Sequence, residues 1–138
     1  MFSQSDTSKT KITGYTCIGL SVTNSDDFQS SSYPSIEGGI VYKDLSIGLV
    51  CGRGNLLGMG NSNDALGNYY YEVKTSAYCP IGILTGNILF GWGKYFTNHS
   101  FIEFGCGISF SKGKICYGIN YSNWDNINYI TPNITFSF

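Results

Sequence analysis

The chain has 138 residues, a formal net charge of −1 and 12% charged side chains, about half the usual globular share. That length suits one domain, and the charge balance lacks the basic face of a nucleic-acid binder. Hydrophobic residues at 42% and aromatics at 16% argue against disorder. The abundance of Gly, Tyr, Ser, Thr, Asn and Ile over Ala, Leu, Glu and Arg argues against long helices.

Residues 1–10 contain no secretory signal; Phe2-Ser3-Gln4-Ser5-Asp6 stands directly behind Met1 and reads as a flexible, mature N-terminus. From residue 11 onward the dominant signal is alternation with period two. Segment 11–23 sets Ile12, Ile18, Leu20 and Val22 against Tyr15, Cys17, Gly19 and Ser21. Segment 33–42 sets Ile36, Ile40 and Tyr42 against Ser35, Glu37 and Gly39. In 45–52, Leu45, Ile47, Leu49 and Cys51 alternate with Ser46, Gly48 and Gly52. In 69–79, Tyr69, Tyr71, Val73 and Ala77 alternate with Tyr70, Glu72, Lys74 and Ser76. Segment 83–95 places Leu84, Ile88, Phe90 and Trp92 opposite Thr85, Asn87, Gly91 and Gly93. The last three are the most regular: Ile102 to Phe110 against Phe101 to Ser109, Ile115 to Tyr121 against Lys114 to Asn120, and Ile130 to Phe138 against Tyr129 to Ser137.

These eight segments predict an all-β chain without significant helix. The uncharged run 75–93 has the length of a membrane-spanning helix, but it contains Pro80, Gly82, Gly86, Gly91 and Gly93. Gly and Pro cost a helix interior roughly 1 and 3 kcal/mol each. Short connections at 43–44, 80–81 and 112–113 alternate with longer ones at 24–32, 53–68, 96–100 and 123–128. That rhythm predicts an up-and-down antiparallel meander over 11–138, closed into a barrel that leaves no exposed edge.

The side chains then predict which face is inside. The polar face is Gly, Ser, Thr, Asn and Tyr with few charges, and the apolar face carries Ile, Phe, Tyr, Trp and Leu on every strand. An eight-stranded barrel is just wide enough inside for modest side chains. The bulky face therefore points outward, which requires lipid as the solvent. No charge interrupts the middle of that face, where Lys or Arg would cost about 2–4 kcal/mol.

With these segments, and with a closing strand 129–138 that ends on Phe138, the chain resembles the small eight-stranded outer-membrane β-barrels of Gram-negative bacteria. Its start resembles that of mature Bacteroidetes outer-membrane proteins. The resemblance implies residence in the outer membrane. It implies lipids and the barrel-insertion machinery as partners, with Phe136 and Phe138 as the C-terminal insertion signal.

Glu37, Glu72, Lys74, Glu103 and Lys114 fall on the inward face. Charges in a narrow bore must be paired or watered. They read as a network that closes the lumen, or alternatively as a gate or ion path. Trp92, Trp124, Tyr95, Tyr121 and Tyr69 near the strand ends read as an interfacial aromatic girdle. His99 beside Ser100 could belong to a lipid-modifying enzyme, but adjacent loop residues rarely form a catalytic pair; the plainer reading is a solvated loop histidine. Five cysteines cannot all pair, and Cys17, Cys51, Cys79, Cys106 and Cys116 contain no CxxC, so no metal site is expected. Cys17 and Cys116 are the pair worth testing for oxidation.

The expected function is a non-enzymatic barrel without cofactor, structural or adhesive, or an accessory subunit that meets other outer-membrane proteins through the 53–68 loop. The alternatives are a narrow channel, a lipid-modifying enzyme, or a soluble lipocalin- or avidin-like barrel.

Overall fold

A computed structural model describes residues 11–25, 28–53, 69–96, 99–124 and 127–138. Eight strands follow one another: β1 (Ile12–Ser25), β2 (Phe28–Tyr42), β3 (Leu45–Arg53), β4 (Tyr69–Ile81), β5 (Leu84–Tyr95), β6 (Ser100–Lys112), β7 (Ile115–Trp124) and β8 (Ile127–Ser137). Each pairs antiparallel with the next, and β1 pairs with β8, so the sheet closes on itself. No helix occurs among the described residues. The segment 1–10 and the loop residues 54–68 lie outside the described residues.

The strands run further than the apolar alternation. Pairing of β1 with β2 continues through Thr23 and Ser31 to Ser25 and Phe28, and β7 meets β8 as far as Trp124 and Ile127. The sequence expectation placed long loops at 24–32 and 123–128. The backbone ladder needs no apolar alternation to continue, so it runs on where the side-chain pattern has stopped.

At the other end, three two-residue turns join the strands at 43–44, 82–83 and 113–114. Two of the turns expected from sequence are displaced toward the C-terminus, from 80–81 and 112–113. Positive φ occurs at the first residue of each turn, Lys43, Gly82 and Gly113. This is the pattern of a II′ hairpin, which asks for glycine at that place. At the two displaced turns the position of glycine, not of proline, sets the turn.

The seam between β1 and β8 has one irregularity. Its ladder runs from Tyr15 to Gly19, skips two positions and resumes at Val22 opposite Ile130. Pro132 sits in the gap and has no N–H to give. A side-chain bond between the hydroxyls of Ser21 and Thr131, 2.8 Å long, crosses the gap instead. Nearer the turn end, Gly14 and Phe138 exchange backbone hydrogen bonds of 3.2 and 3.0 Å. The ring of Phe138 covers the bare backbone of Gly14.

Phe104, Ile119 and Phe136 point outward, 58%, 46% and 42% exposed, whereas Glu103 beside Phe104 is 5% exposed. The large apolar side chains therefore form the outer wall, as the alternation predicts, and the polar face lines the bore.

Candidate functional site

The bore is filled in layers. At the end opposite the turns, Trp124 is 2% exposed and stands at the centre of a group of rings. Phe101 stacks on it with centroids 4.7 Å apart, and Tyr70 and Tyr129 meet it at 4.8 Å. Tyr33 and Tyr95 complete the group at 6.1 and 6.3 Å. Val50 packs against the same rings. Glycines on neighbouring strands make room: side chains at Gly52 and Gly93 would collide with Tyr70 and Phe101. The result is a solid aromatic plug.

Below the plug lies an ionic cluster. Lys74 places its Nζ 2.8 Å from a carboxylate oxygen of Glu103 and 3.7 Å from one of Glu72. Lys74 and Glu103 are two strands apart; Gly91 of β5 lies between them in register. The space that Gly91 leaves by having no side chain is taken by the carboxylate of Glu72. Ser122 is buried in the same layer, on the neighbouring strand β7.

Next toward the turns, the Tyr15 hydroxyl donates to Glu37. A polar cavity of about 50 Å³ adjoins them, lined by Lys74, Asn87, Asn120, Asn133 and Thr135 among others, with room for a few waters. The hydroxyls of Tyr78 and Ser46 lie 3.1 Å apart below it. Tyr78 also lines the last space, a wide mouth of about 730 Å³ ringed by the turns and by Lys11, Lys43 and Lys114. The lumen is thus a polar well, open toward the turns and stopped by rings at the other end.

Four of the five sequence-predicted lumen charges occupy this well. Glu72, Lys74 and Glu103 meet directly, and Glu37 shares the small cavity with Lys74. Lys114 does not join them: it is exposed in the 113–114 turn, because β7 begins one residue later. The predicted girdle also divides. Trp92, Tyr121 and Tyr69 face outward at 49%, 52% and 40% exposure. Trp124 and Tyr95 instead belong to the plug. The reason is parity: residues an odd number apart on a strand cannot share a face. Tyr121 and Trp124 differ by three, as do Trp92 and Tyr95. The same arithmetic, applied to Tyr70, Phe101 and Tyr129, marks the plug in the sequence.

Phe136 and Phe138, the expected insertion signal, both face outward at the end of the closing strand. His99 is exposed at the plug end, its ring 6.1 Å from Tyr95. All five cysteines are free. Cys17 and Cys116 flank Thr135 on opposite sides in register. Two strand spacings, roughly 10 Å, separate their backbones, beyond the reach of a disulfide. Cys51, Cys79 and Cys106 are exposed. Among the described residues no cluster of His, Cys, Asp and Glu could hold a metal.

Three solved structures share this architecture. A barrel from work on the de novo design of transmembrane β-barrels superposes with a TM-score of 0.61 at 16% identity, covering 92% of this chain and 94% of its own. The Yersinia pestis outer membrane protein Ail, determined in a phospholipid bilayer nanodisc, gives 0.59 at 13% identity, with 93% and 100% covered. Neisserial surface protein A gives 0.54 at 12% identity, with 92% and 97% covered. At these identities the likeness is one of fold: an eight-stranded antiparallel transmembrane β-barrel. No family model matches the chain, and no curated protein matches it either.

Proposed function

We propose that this chain is an integral, non-enzymatic barrel of a bacterial outer membrane with a closed lumen, serving a structural or adhesive role or acting as an accessory subunit of an envelope complex. One observation carries the reading: bulky apolar side chains form the outside while Glu72, Lys74 and Glu103 are buried within. That distribution inverts a soluble barrel and suits an apolar solvent. The fold neighbours support the membrane, since Ail is itself described as an outer membrane protein in a bilayer.

The plug weighs against conduction. Rings around Trp124 fill the bore at one end, and an ion pair fills it beneath. Reconstitution in planar bilayers tests this: no conductance above baseline is expected, and steady unit currents altered by Lys74→Met would replace the reading with a channel. Membrane fractionation followed by boiled and unboiled gels tests the class. A band that migrates faster unboiled, found in the detergent-extracted membrane fraction, is expected. A detergent-free, monodisperse soluble protein would overturn it. Incubation with outer-membrane lipids tests enzymatic silence: no turnover is expected, and a turnover abolished by His99→Ala would overturn that part.

A further inference from the structure

The three short turns are not chemically alike. Lys43 sits in the first, Lys112 and Lys114 flank Gly113 at the third, and all three are exposed. Asp44 is the acidic side chain beside them. The second turn is apolar: Ile83 at its tip is 85% exposed, and Ile81 just before it is 58% exposed. The Lys43 ammonium stands 5.5 Å over the ring of Tyr42, which faces outward with the apolar wall. That contact keeps the cation at the margin of the wall.

Near the opposite end, Arg53 closes β3 and Lys94 lies one residue before the end of β5.

Lysines alone would suit any phosphate in solution. An isoleucine presented at a turn tip does not suit water, but it suits the boundary between headgroups and acyl chains. Both features occur on one rim, and long lysine stems can lay their methylenes on the apolar wall while the ammonium stays among headgroups. We infer that the turn end of the barrel is a docking surface for anionic phospholipid, with Ile81 and Ile83 at the acyl boundary and Lys43, Lys112 and Lys114 on the phosphates. This rests on the membrane reading above. In outer-membrane barrels the short turns face the periplasm, so the leaflet concerned is the periplasmic one.

The test uses the full chain reconstituted in phosphatidylcholine bilayers with spin-labelled phosphatidylglycerol or spin-labelled phosphatidylcholine as the probe. Phosphatidylglycerol is expected to be preferred in the lipid shell, by roughly fivefold for one fully engaged lysine. The preference is expected to vanish at about 1 M salt, where screening reaches about 3 Å. It is expected to fall toward unity in Lys43→Gln/Lys112→Gln/Lys114→Gln, partly in Lys112→Gln alone, and to survive in the corresponding triple arginine variant. Ile83→Ser is expected to weaken it with every lysine in place.

Equal association of the two lipids with the unaltered chain would overturn the inference. So would a preference that persists in the triple glutamine variant, or one lost instead in Arg53→Gln/Lys94→Gln. Displacement by inorganic phosphate beyond the effect of chloride at equal ionic strength, with Ile83→Ser silent, would also overturn it, in favour of a soluble-phosphate site. Unboiled gel mobility, read on every variant, separates the two levels. A lost mobility shift refutes the closed membrane barrel, whereas a lost lipid preference with the shift intact refutes only the docking surface.

Discussion

The carboxylate of Glu72 fills the space in front of Gly91: a Cβ built there would lie 2.7 Å from the carboxyl carbon. Gly91 in turn stands between Lys74 and Glu103 in the register of three strands. One missing side chain thus admits three charged ones. Gly91→Ala is expected to destabilise the barrel by about 1–3 kcal/mol, the usual cost of overfilling a packed interior. Urea unfolding in lipid vesicles, followed through the fluorescence of buried Trp124, measures it; an unchanged midpoint would mean that the cluster relaxes freely.

The ion cluster orders three further substitutions. Lys74→Met leaves two buried carboxylates facing each other and is expected to cost about 3–5 kcal/mol, as for a buried pair with one partner removed. Glu103→Gln is expected to cost more than Glu72→Gln, because Lys74 lies 2.8 Å from the first and 3.7 Å from the second. The same unfolding assay reads all three. An inverted order would place the main pairing at Glu72.

On the outer wall the opposite logic holds. Phe104→Lys puts a cation in the middle of the lipid-facing band and is expected to cost about 2–4 kcal/mol, falling to about 0–1 kcal/mol near an interface, as for Asn123→Lys near the end of β7. Equal effects of the two in vesicles would contradict a membrane around that wall.

Lys43 has a φ of 55°, a backbone region that costs a side-chain-bearing residue roughly 1–2 kcal/mol. Lys43→Gly is expected to raise stability by about 1 kcal/mol in neutral-lipid vesicles. Refolding yield and the urea midpoint report it, and a lower midpoint would show that the lysine contributes more through contacts than it loses in its backbone.

Cys17 and Cys116 are expected to stay reduced. Non-reducing and reducing gels of oxidant-treated, folded protein are expected to show the same monomer mobility. A faster non-reduced band that disappears in Cys116→Ser would show the strands between them moving by several ångströms.

Much of this architecture is legible in the sequence because period two survives wherever one face meets lipid and the other a packed bore. Ile102 to Phe110 against Glu103 to Ser109 is enough to orient β6. The signal fades where that contrast ends. Residues 29–32 are uniformly polar, so their continuation of β2 leaves no trace in hydropathy. Pro80 masks the turn at 82–83 in the sequence, although Gly82 carries the conformation that the turn demands. The plug is hidden for another reason: residue type and nearness to a strand end group Trp124 and Tyr95 with the surface aromatics. Their parity with Ser122 and Gly93 places them inside. That Lys74 chooses Glu103 over Glu72 depends on register across three strands, which alternation within one strand cannot supply.

The stack of rings around Trp124 also bears on what lies beyond it. Anchored strand ends at that rim form a pedestal whose rigidity does not depend on the segments leaving it. Lengthening such a segment costs only about 0.6 kcal/mol per doubling. Rings from β4, β6, β7 and β8 therefore hold that rim by their own contacts, so the sequence joining β3 to β4 can change in length at little cost to the barrel.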